Sequence, residues 1–281
     1  MSYRDAFRDI VKRRLENRPA MMEQWVKHEK YGNLPWINDL CNRGQGPFTT
    51  KEATLCYCMA YMHGHYEAAK IVLEGFADQL DASSRVAMLD VGCGPMTAAL
   101  ALSDLFTKGY GKPVALNYIG IDTSERMLKF AKKFSERDDC FSTSESDYRR
   151  FVDGCGAISD RRISKFLKGA THIVVTFNYV LAQSSLNLAT VDELAELTVR
   201  IAAAAGKTPV WIAYANSTYP TSYFQYFAHR CGKLGATLAK STAIPRSLPL
   251  AQHRLAEGVT EVVSDSGKTN FEYLLTRIEV K

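Results

Sequence analysis

Apolar residues recur every three or four positions in the first part of the chain, then gather into short unbroken runs after residue 85. Phe7, Ile10, Val11 and Leu15 fall on one face of a helix over residues 3–18. Residues 32–50 carry Gly-Asn-Leu-Pro and Arg-Gly-Gln-Gly-Pro, which is turn chemistry. Thr49-Thr50-Lys51-Glu52 then opens a second helix. Either threonine can serve as its N-cap, and only a Thr49 cap puts Glu52 at the third helical position that a capping box requires. The pattern predicts that this helix runs from Ala53 to about Leu80, with a break near Gly64.

From residue 86 the period changes to alternating strands and helices. Strands are expected at 86–91, 116–122, 140–144 (weak), 171–177 and 209–214, with helices at 97–106, 124–135 and 191–205. Residues 149–169 are basic, and their apolar positions are too irregular to assign. An aromatic helix at Tyr223, Phe224, Tyr226 and Phe227 precedes a loop containing Pro245 and Pro249. Two late strands, near 259–263 and 271–280, would close as an antiparallel hairpin. Repeated strand–helix units imply parallel pairing with right-handed crossovers. The expected fold is therefore α/β: a Rossmann-like, doubly wound, mostly parallel seven-stranded sheet with a C-terminal hairpin. Residues 1–82 would form a helical cap and 83–281 the sheet domain.

Two strand ends carry candidate chemistry. Leu89-Asp90-Val91-Gly92-Cys93-Gly94-Pro95-Met96 is a strand running into a glycine turn and a helix, the geometry in which backbone approaches a ligand closely. Tyr118-Ile119-Gly120-Ile121-Asp122 is a second strand ending in an acid, able to take both hydroxyls of a ribose. Together they point to a nucleoside-containing cofactor. Gly92-x-Gly94-x-Met96 is not the G-x-G-x-x-G of nicotinamide-binding turns, which argues against hydride chemistry.

The chain has 281 residues, 46% hydrophobic and 23% charged, as in an ordinary globular protein. Its net charge of +5 permits an RNA-facing surface without demanding one. Seven scattered cysteines read as reduced thiols of an intracellular, cytoplasmic protein. Cys56-Tyr57-Cys58 stands without a second pair, and the histidines stand without a carboxylate cluster, so no metal site is expected. No signal peptide or unbroken apolar span is evident, so no membrane association is expected.

The sequences Leu-Asp-Val-Gly-Cys-Gly-Pro and Tyr-Ile-Gly-Ile-Asp-Thr-Ser-Glu-Arg-Met-Leu-Lys-Phe-Ala resemble the first two motifs of class I S-adenosylmethionine-dependent methyltransferases, and the resemblance covers about residues 86–281. It implies S-adenosyl-L-methionine as cofactor. It also implies that Asp90, Gly92 and Gly94, with Cys93 between them, line the methionine end, and that Asp122 holds the ribose. Thr123 and Met127 would lie beside the adenine, Asp147 would face its amino group, and Tyr148 would stack on it. Phe177, Asn178 and Tyr179 would face the transferable methyl. Met96 departs from the family, which commonly has a small residue there. Residues 57–80 also resemble a helix of methyltransferase-like proteins associated with small ribosomal subunit assembly, although the cysteine cluster of that family has no equivalent here.

Methyl transfer from a sulfonium mainly requires alignment and exclusion of water. Asn178 would orient the acceptor and Tyr179 would stack on it; alternatively both merely finish the strand. Tyr57 and Tyr61 share a helix face and form an aromatic cap with Trp25 and Trp36, and Tyr57 is assigned to the cofactor pocket. His63 is the candidate catalytic imidazole, while His63 and His65 cannot share a helix face unless Gly64 breaks the helix. The expected acceptor is a small or medium-sized organic molecule. RNA is the alternative, held through Arg13, Arg14, Arg161, Arg162 and Lys165, and a catalytically silent member of the fold is the third. Homo-oligomers are possible.

Overall fold

The computed structural model describes residues 3–24, 39–40, 48–142, 148–181, 186–217, 223–240, 242–256 and 259–280. The chain begins with α1 (Tyr3–Phe7), a π-helical turn (Arg8–Lys12) and α2 (Arg13–Glu16), which bury Phe7, Ile10, Val11 and Leu15 as the periodicity predicts. Then come α3 (Lys51–Ala60) and α4 (Met62–Ala77). Thr50 is the N-cap of α3, its side chain accepting from the Ala53 amide at 3.0 Å. Glu52 is thereby freed to pair with Arg18. The helix breaks at Tyr61 and not near Gly64, which lies inside α4.

The sheet comprises β1 (Arg85–Val91), β2 (Ala115–Ile121), β3 (Arg149–Val152), β4 (His172–Asn178), β5 (Val210–Ser217), β6 (Ala236–Leu238), β7 (Ile244–Ala256) and β8 (Val259–Val280). Between them run α5 (Thr97–Tyr110), α6 (Glu125–Ser135), α7 (Asp160–Leu167), α8 (Leu188–Ala204) and α9 (Phe224–Lys233). The order is β3-β2-β1-β4-β5-β8-β6, with β7 paired on β8. The first five strands are parallel, and β8 runs antiparallel to β5, β6 and β7.

Side chains alternate across this sheet, as the period of two requires. Met88, Tyr118, Val174 and Ala213 enter a core shared with the N-terminal helices, α5 and α6. Leu89, Ile119, Val175 and Ile212 enter a second core beneath α7, α8 and α9. Central strands buried on both faces read as continuous apolar runs, which is why β1, β2 and β4 are legible from sequence.

Three expectations are corrected. The third strand is Arg149–Val152, whereas of the described residues 140–142 only Phe141 makes a bridge, to Val114. The reason is that β3 is an edge strand with cationic side chains: Arg149 donates to the Ser135 and Ser142 carbonyls, and the Arg150 guanidinium lies 5.4 Å from the Tyr148 ring centre. No apolar run marks it. Second, the loop with Pro245 and Pro249 is strand β7. Prolines are tolerated there because β7 is paired only on its β8 side, with a register shift between Pro249 and Ala251. Third, the two late strands form one strand, β8, and the sheet has eight strands, not seven.

Asn117 joins β2 to its neighbours from a buried position. Its Nδ2 donates to the carbonyls of Phe166 (2.8 Å) and Lys168 (3.0 Å), and its Oδ1 accepts from the Tyr148 amide at 3.1 Å. Replacing Asn117 by Ala strands those partners and is expected to lower stability by about 3 kcal/mol in urea denaturation. A loss below about 0.5 kcal/mol would show that water or other groups satisfy them.

Candidate cofactor and methyl-transfer site

The site forms where β1, β2 and β4 end. After β1 the chain turns through Gly92 (φ 64°), Gly94 (φ 51°) and Met96 (φ 68°), all left-handed. Gly92 is required on two counts, because a Cβ there would also lie 2.7 Å from the Val180 side chain. Met96 adopts this conformation with a side chain and is wholly buried, a strain of order 1–3 kcal/mol held by the surrounding core.

Two amides dock the turn on β2. Cys93 N donates to the Ile121 carbonyl at 2.9 Å, and Gly94 N donates to the Asp122 carboxylate at 2.9 Å. The other Asp122 oxygen accepts from Ser124 N at 2.8 Å, where α6 begins. Burial raises the Asp122 pKa above the ordinary carboxylate value, and these two amides oppose the rise.

Asp90 is buried in register with Gly120 on one side and Thr176 on the other. It accepts from the Tyr118 hydroxyl at 2.9 Å and the Thr176 hydroxyl at 2.6 Å. Gly120 makes the first bond possible: a Cβ there would lie 2.7 Å from the Tyr118 ring and 2.9 Å from Cys93 Sγ. The glycine of Tyr-Ile-Gly-Ile-Asp therefore admits a phenol.

Over the turn lies an aromatic cover. Tyr57 and His65 Nδ1 share a hydrogen bond of 2.7 Å, and the Tyr57 hydroxyl would lie 3.7 Å from a Cβ on Gly94. His65 stacks on Tyr179 with ring centres 4.1 Å apart and planes at 17°. Tyr179, the first residue after β4, also has a left-handed backbone (φ 61°) and donates its amide to the Ala215 carbonyl at 2.7 Å. Burial pushes His65 down to about 4, so its imidazole is neutral at pH 7. Asn178 Nδ2 donates to the His65 carbonyl at 3.2 Å. Tyr57, His65, Asp90, Gly92, Cys93, Thr97 and Asn178 line one small cavity.

Two buried polar atoms at this cavity have no hydrogen-bond partner among the described residues: Asn178 Oδ1 and Thr97 Oγ1. A buried orphan of this kind marks a ligand contact or a site of stored strain. Thr97 stands at the N-terminus of α5, where the helix dipole favours an anion, and Asn178 Oδ1 is an acceptor for a cation. The donor set therefore suits a zwitterion, as the methionine end of S-adenosylmethionine is. Each Asp122 oxygen accepts one amide and keeps capacity for a further donor.

Other expected site residues lie elsewhere. Phe177 points to the opposite core, its ring centre 4.8 Å from that of Phe227, as alternation between Thr176 and Asn178 demands. His63 packs between Tyr3 and Tyr66, with ring centres 5.8 and 6.0 Å away, and does not join the cavity. His65 takes the place expected for it. Tyr148 precedes β3 and lies alongside the middle of β2, away from the strand ends that form the site, its carbonyl accepting from Tyr118 N. Asp147, Trp25 and Trp36 lie outside the described residues. Met127 is buried in the core below α6, and Thr123 is exposed beside Asp122.

Asp153 was missed. It follows Val152, which pairs with Ile121, so it stands beside Asp122 at the same sheet edge. The signal was Asp153-Gly154, an acid and a glycine after four residues that do not look like a strand. The RNA-contact set is also divided. Arg13 and Arg14 ride on helices packed on one face of the sheet, while Arg161, Arg162 and Lys165 ride on α7 on the other. Among the described residues no group of His, Cys, Asp and Glu is arranged to hold a metal ion, and no helix is long and apolar enough to cross a membrane.

The strand order, the glycine turn after β1 and the acid after β2 are those expected from the sequence of a Rossmann-like methyltransferase fold. Residues 51–189 match the family model of the mitochondrial small ribosomal subunit protein Rsm22. This corresponds to the likeness to small-subunit assembly proteins seen ahead of the glycine turn. No curated protein sequence matches the chain. Among solved structures, the chain is similar to magnesium protoporphyrin IX methyltransferase from Synechocystis, at 11% identity over 88% of this chain and 94% of that one, with a TM-score of 0.38. It is similar to mitomycin 7-O-methyltransferase at 14% identity over 88% and 66% of the respective chains, with a TM-score of 0.41. A methyltransferase from Leishmania major is 12% identical over 87% and 83%, with a TM-score of 0.40.

The Asp90 network carries a pH signature. Burial pushes its pKa up from 3.8 to about 6, against the lowering effect of Thr176 and Tyr118. The folded state thus holds this proton more tightly than the unfolded chain. The group's stabilising contribution is complete below the unfolded value and is lost as pH rises from about 4 to about 6. Measured as denaturant midpoints, wild-type stability relative to Asp90→Asn should decline across that window and level off above it. A difference that stays flat would mean Asp90 is ionised throughout.

Proposed function

We propose that the chain binds S-adenosylmethionine at the glycine turn and transfers its methyl group to an acceptor presented beneath the aromatic cover. The observation that carries this reading is the pair of unpartnered atoms flanking the turn, Asn178 Oδ1 and Thr97 Oγ1. Asn178 Oδ1 would take the ammonium of the cofactor. The α5 N-terminus with Thr97 would take its carboxylate. Asp122 would take the ribose hydroxyls and Asp153 would stand at the adenine side.

When bound, the cofactor supplies an already activated methyl on a sulfonium. The protein's part is therefore alignment. Asn178, fixed through its Nδ2 on the His65 carbonyl, holds one wall. Tyr179 and His65, stacked, exclude water from the other, and their aromatic faces suit a planar acceptor and a nearby positive charge. His65 is neutral in this environment and Tyr57 occupies its Nδ1. The pair thus orients the cover, and Asp90, the one carboxylate among the described residues lining the cavity, has both oxygens engaged by hydroxyl donors. An acceptor whose nucleophilic atom is already unprotonated fits such a site.

The first acceptor class is a small or medium-sized organic molecule enclosed by the cover. A second reading, an RNA acceptor, draws on the Rsm22 match over residues 51–189. The protein would act in solution in either case.

Calorimetry with S-adenosylmethionine and with S-adenosylhomocysteine tests the cofactor. Both should release heat. Asp122→Ala and Asn178→Ala should each weaken binding at least about tenfold, the scale of one lost charge-assisted hydrogen bond, while thermal unfolding stays cooperative. Absence of heat with both ligands, or unchanged affinity in both variants, would remove the assignment.

A further inference from the structure

A groove of about 500 Å³ runs between the N-terminal helices and α6, outside the candidate cofactor site. Its floor is apolar, with Leu55 and Phe130, and its walls are basic. Some of the wall cations are neutralised: Arg18 by Glu52, Lys129 by Glu125 at 2.7 Å, and Lys133 by Glu136 at 3.0 Å. Others are not. Arg14, Lys51, Arg126 and Lys132 have no carboxylate partner among the described residues, although all four line the groove. Arg14 is held in place by the Ile10 carbonyl at 2.6 Å and lies 5.0 Å from the Phe130 ring centre. Arg126 is held by the Thr49 carbonyl.

The basic excess is local. On another side of the same helical layer, Asp5, Glu67, Glu74 and Asp104 line a separate groove together with Lys70 and Lys108. That second groove mixes signs, as an ordinary solvated surface does, whereas seven cations and one carboxylate, Glu136, line the first. A flat bilayer cannot reach a concave channel with an apolar floor. A single strand can enter it, laying phosphates on the walls and bases on the floor.

We propose that this groove binds the backbone of single-stranded RNA, with Arg14, Lys51, Arg126 and Lys132 on the phosphates. The inference deepens the RNA reading above by giving it a surface. That surface differs from the cationic set expected from sequence: it retains Arg14 and excludes Arg161, Arg162 and Lys165. Because Ser124, the N-cap of α6, lies two residues beyond Asp122, a strand in the groove would run up to the edge of the candidate site.

The test is fluorescence anisotropy of a labelled 20-residue oligouridine with the full chain, without cofactor, over a range of salt concentrations. With four phosphates neutralised, log affinity should fall against log salt with a slope of about −3. The exposed pair Lys51→Glu and Lys132→Glu should weaken binding at least about tenfold and reduce the slope by about 1.4. Arg161→Glu with Lys165→Glu on α7 should change neither. If wild type fails to bind, the groove and the RNA reading fall together. If the Lys51/Lys132 variant binds as wild type does, the groove falls while the RNA reading stands. If polyglutamate displaces the RNA at equal charge concentration, the occupant is an acidic peptide and the nucleic-acid assignment is overturned.

Discussion

Two backbone amides hold the candidate site together. Cys93 N on the Ile121 carbonyl and Gly94 N on the Asp122 carboxylate fasten the turn after β1 to the end of β2. Without them the left-handed residues Gly92, Gly94 and Met96 would have no reason to persist, since such conformations survive only where surrounding contacts over-determine them. The same fastening sets the direction of α5 and with it the position of Thr97. It also gives the acid after β2 a structural duty besides any toward a ligand.

Beneath the turn, the structure admits a buried carboxylate by careful pairing. Asp90 is desolvated, yet each oxygen has a hydroxyl donor, and Gly120 clears the path for one of them. Above the turn the logic reverses: Asn178 Oδ1 and Thr97 Oγ1 are desolvated and unpaired. Asn216 on β5 also has buried, unpaired polar atoms, so it is the position of Asn178 Oδ1 and Thr97 Oγ1 beside the glycine turn, more than their being unpaired, that marks them as ligand contacts. The cover formed by Tyr57, His65 and Tyr179 closes over these two atoms, with strain stored at Tyr179.

How much of this was legible in the sequence depended on burial. Strands β1, β2 and β4 are buried on both faces and announce themselves as apolar runs, so the turn and Asp122 were found at their true positions. β3 and β7 are edge strands, one faced with arginine and one carrying proline, and neither has the periodicity that marks a strand. Expecting the third strand at 140–144 puts Tyr148 after the strand, where it in fact precedes it, and hides Asp153. Phe177 was misassigned because chain position at the end of β4 does not say which face a residue occupies; its neighbour Asn178 occupies the other. His63 and His65 lie two positions apart inside α4 and so face different sides, His63 toward Tyr3 and Tyr66 and His65 toward Tyr57 and Tyr179, a difference the sequence pattern does not orient. The basic groove was unreadable for a different reason, since Arg14, Lys51 and Lys132 are separated by long stretches of chain and meet only in the folded state.

The central claim is that the unpaired atoms beside the glycine turn are cofactor contacts. A crystal structure of the chain with S-adenosylhomocysteine tests it most directly. The account predicts the ligand's ammonium within hydrogen-bond distance of Asn178 Oδ1, its carboxylate at Thr97 and the α5 N-terminus, and its ribose on Asp122. A ligand bound elsewhere, or bound at the turn with Asn178 Oδ1 and Thr97 Oγ1 still unpartnered, would contradict it.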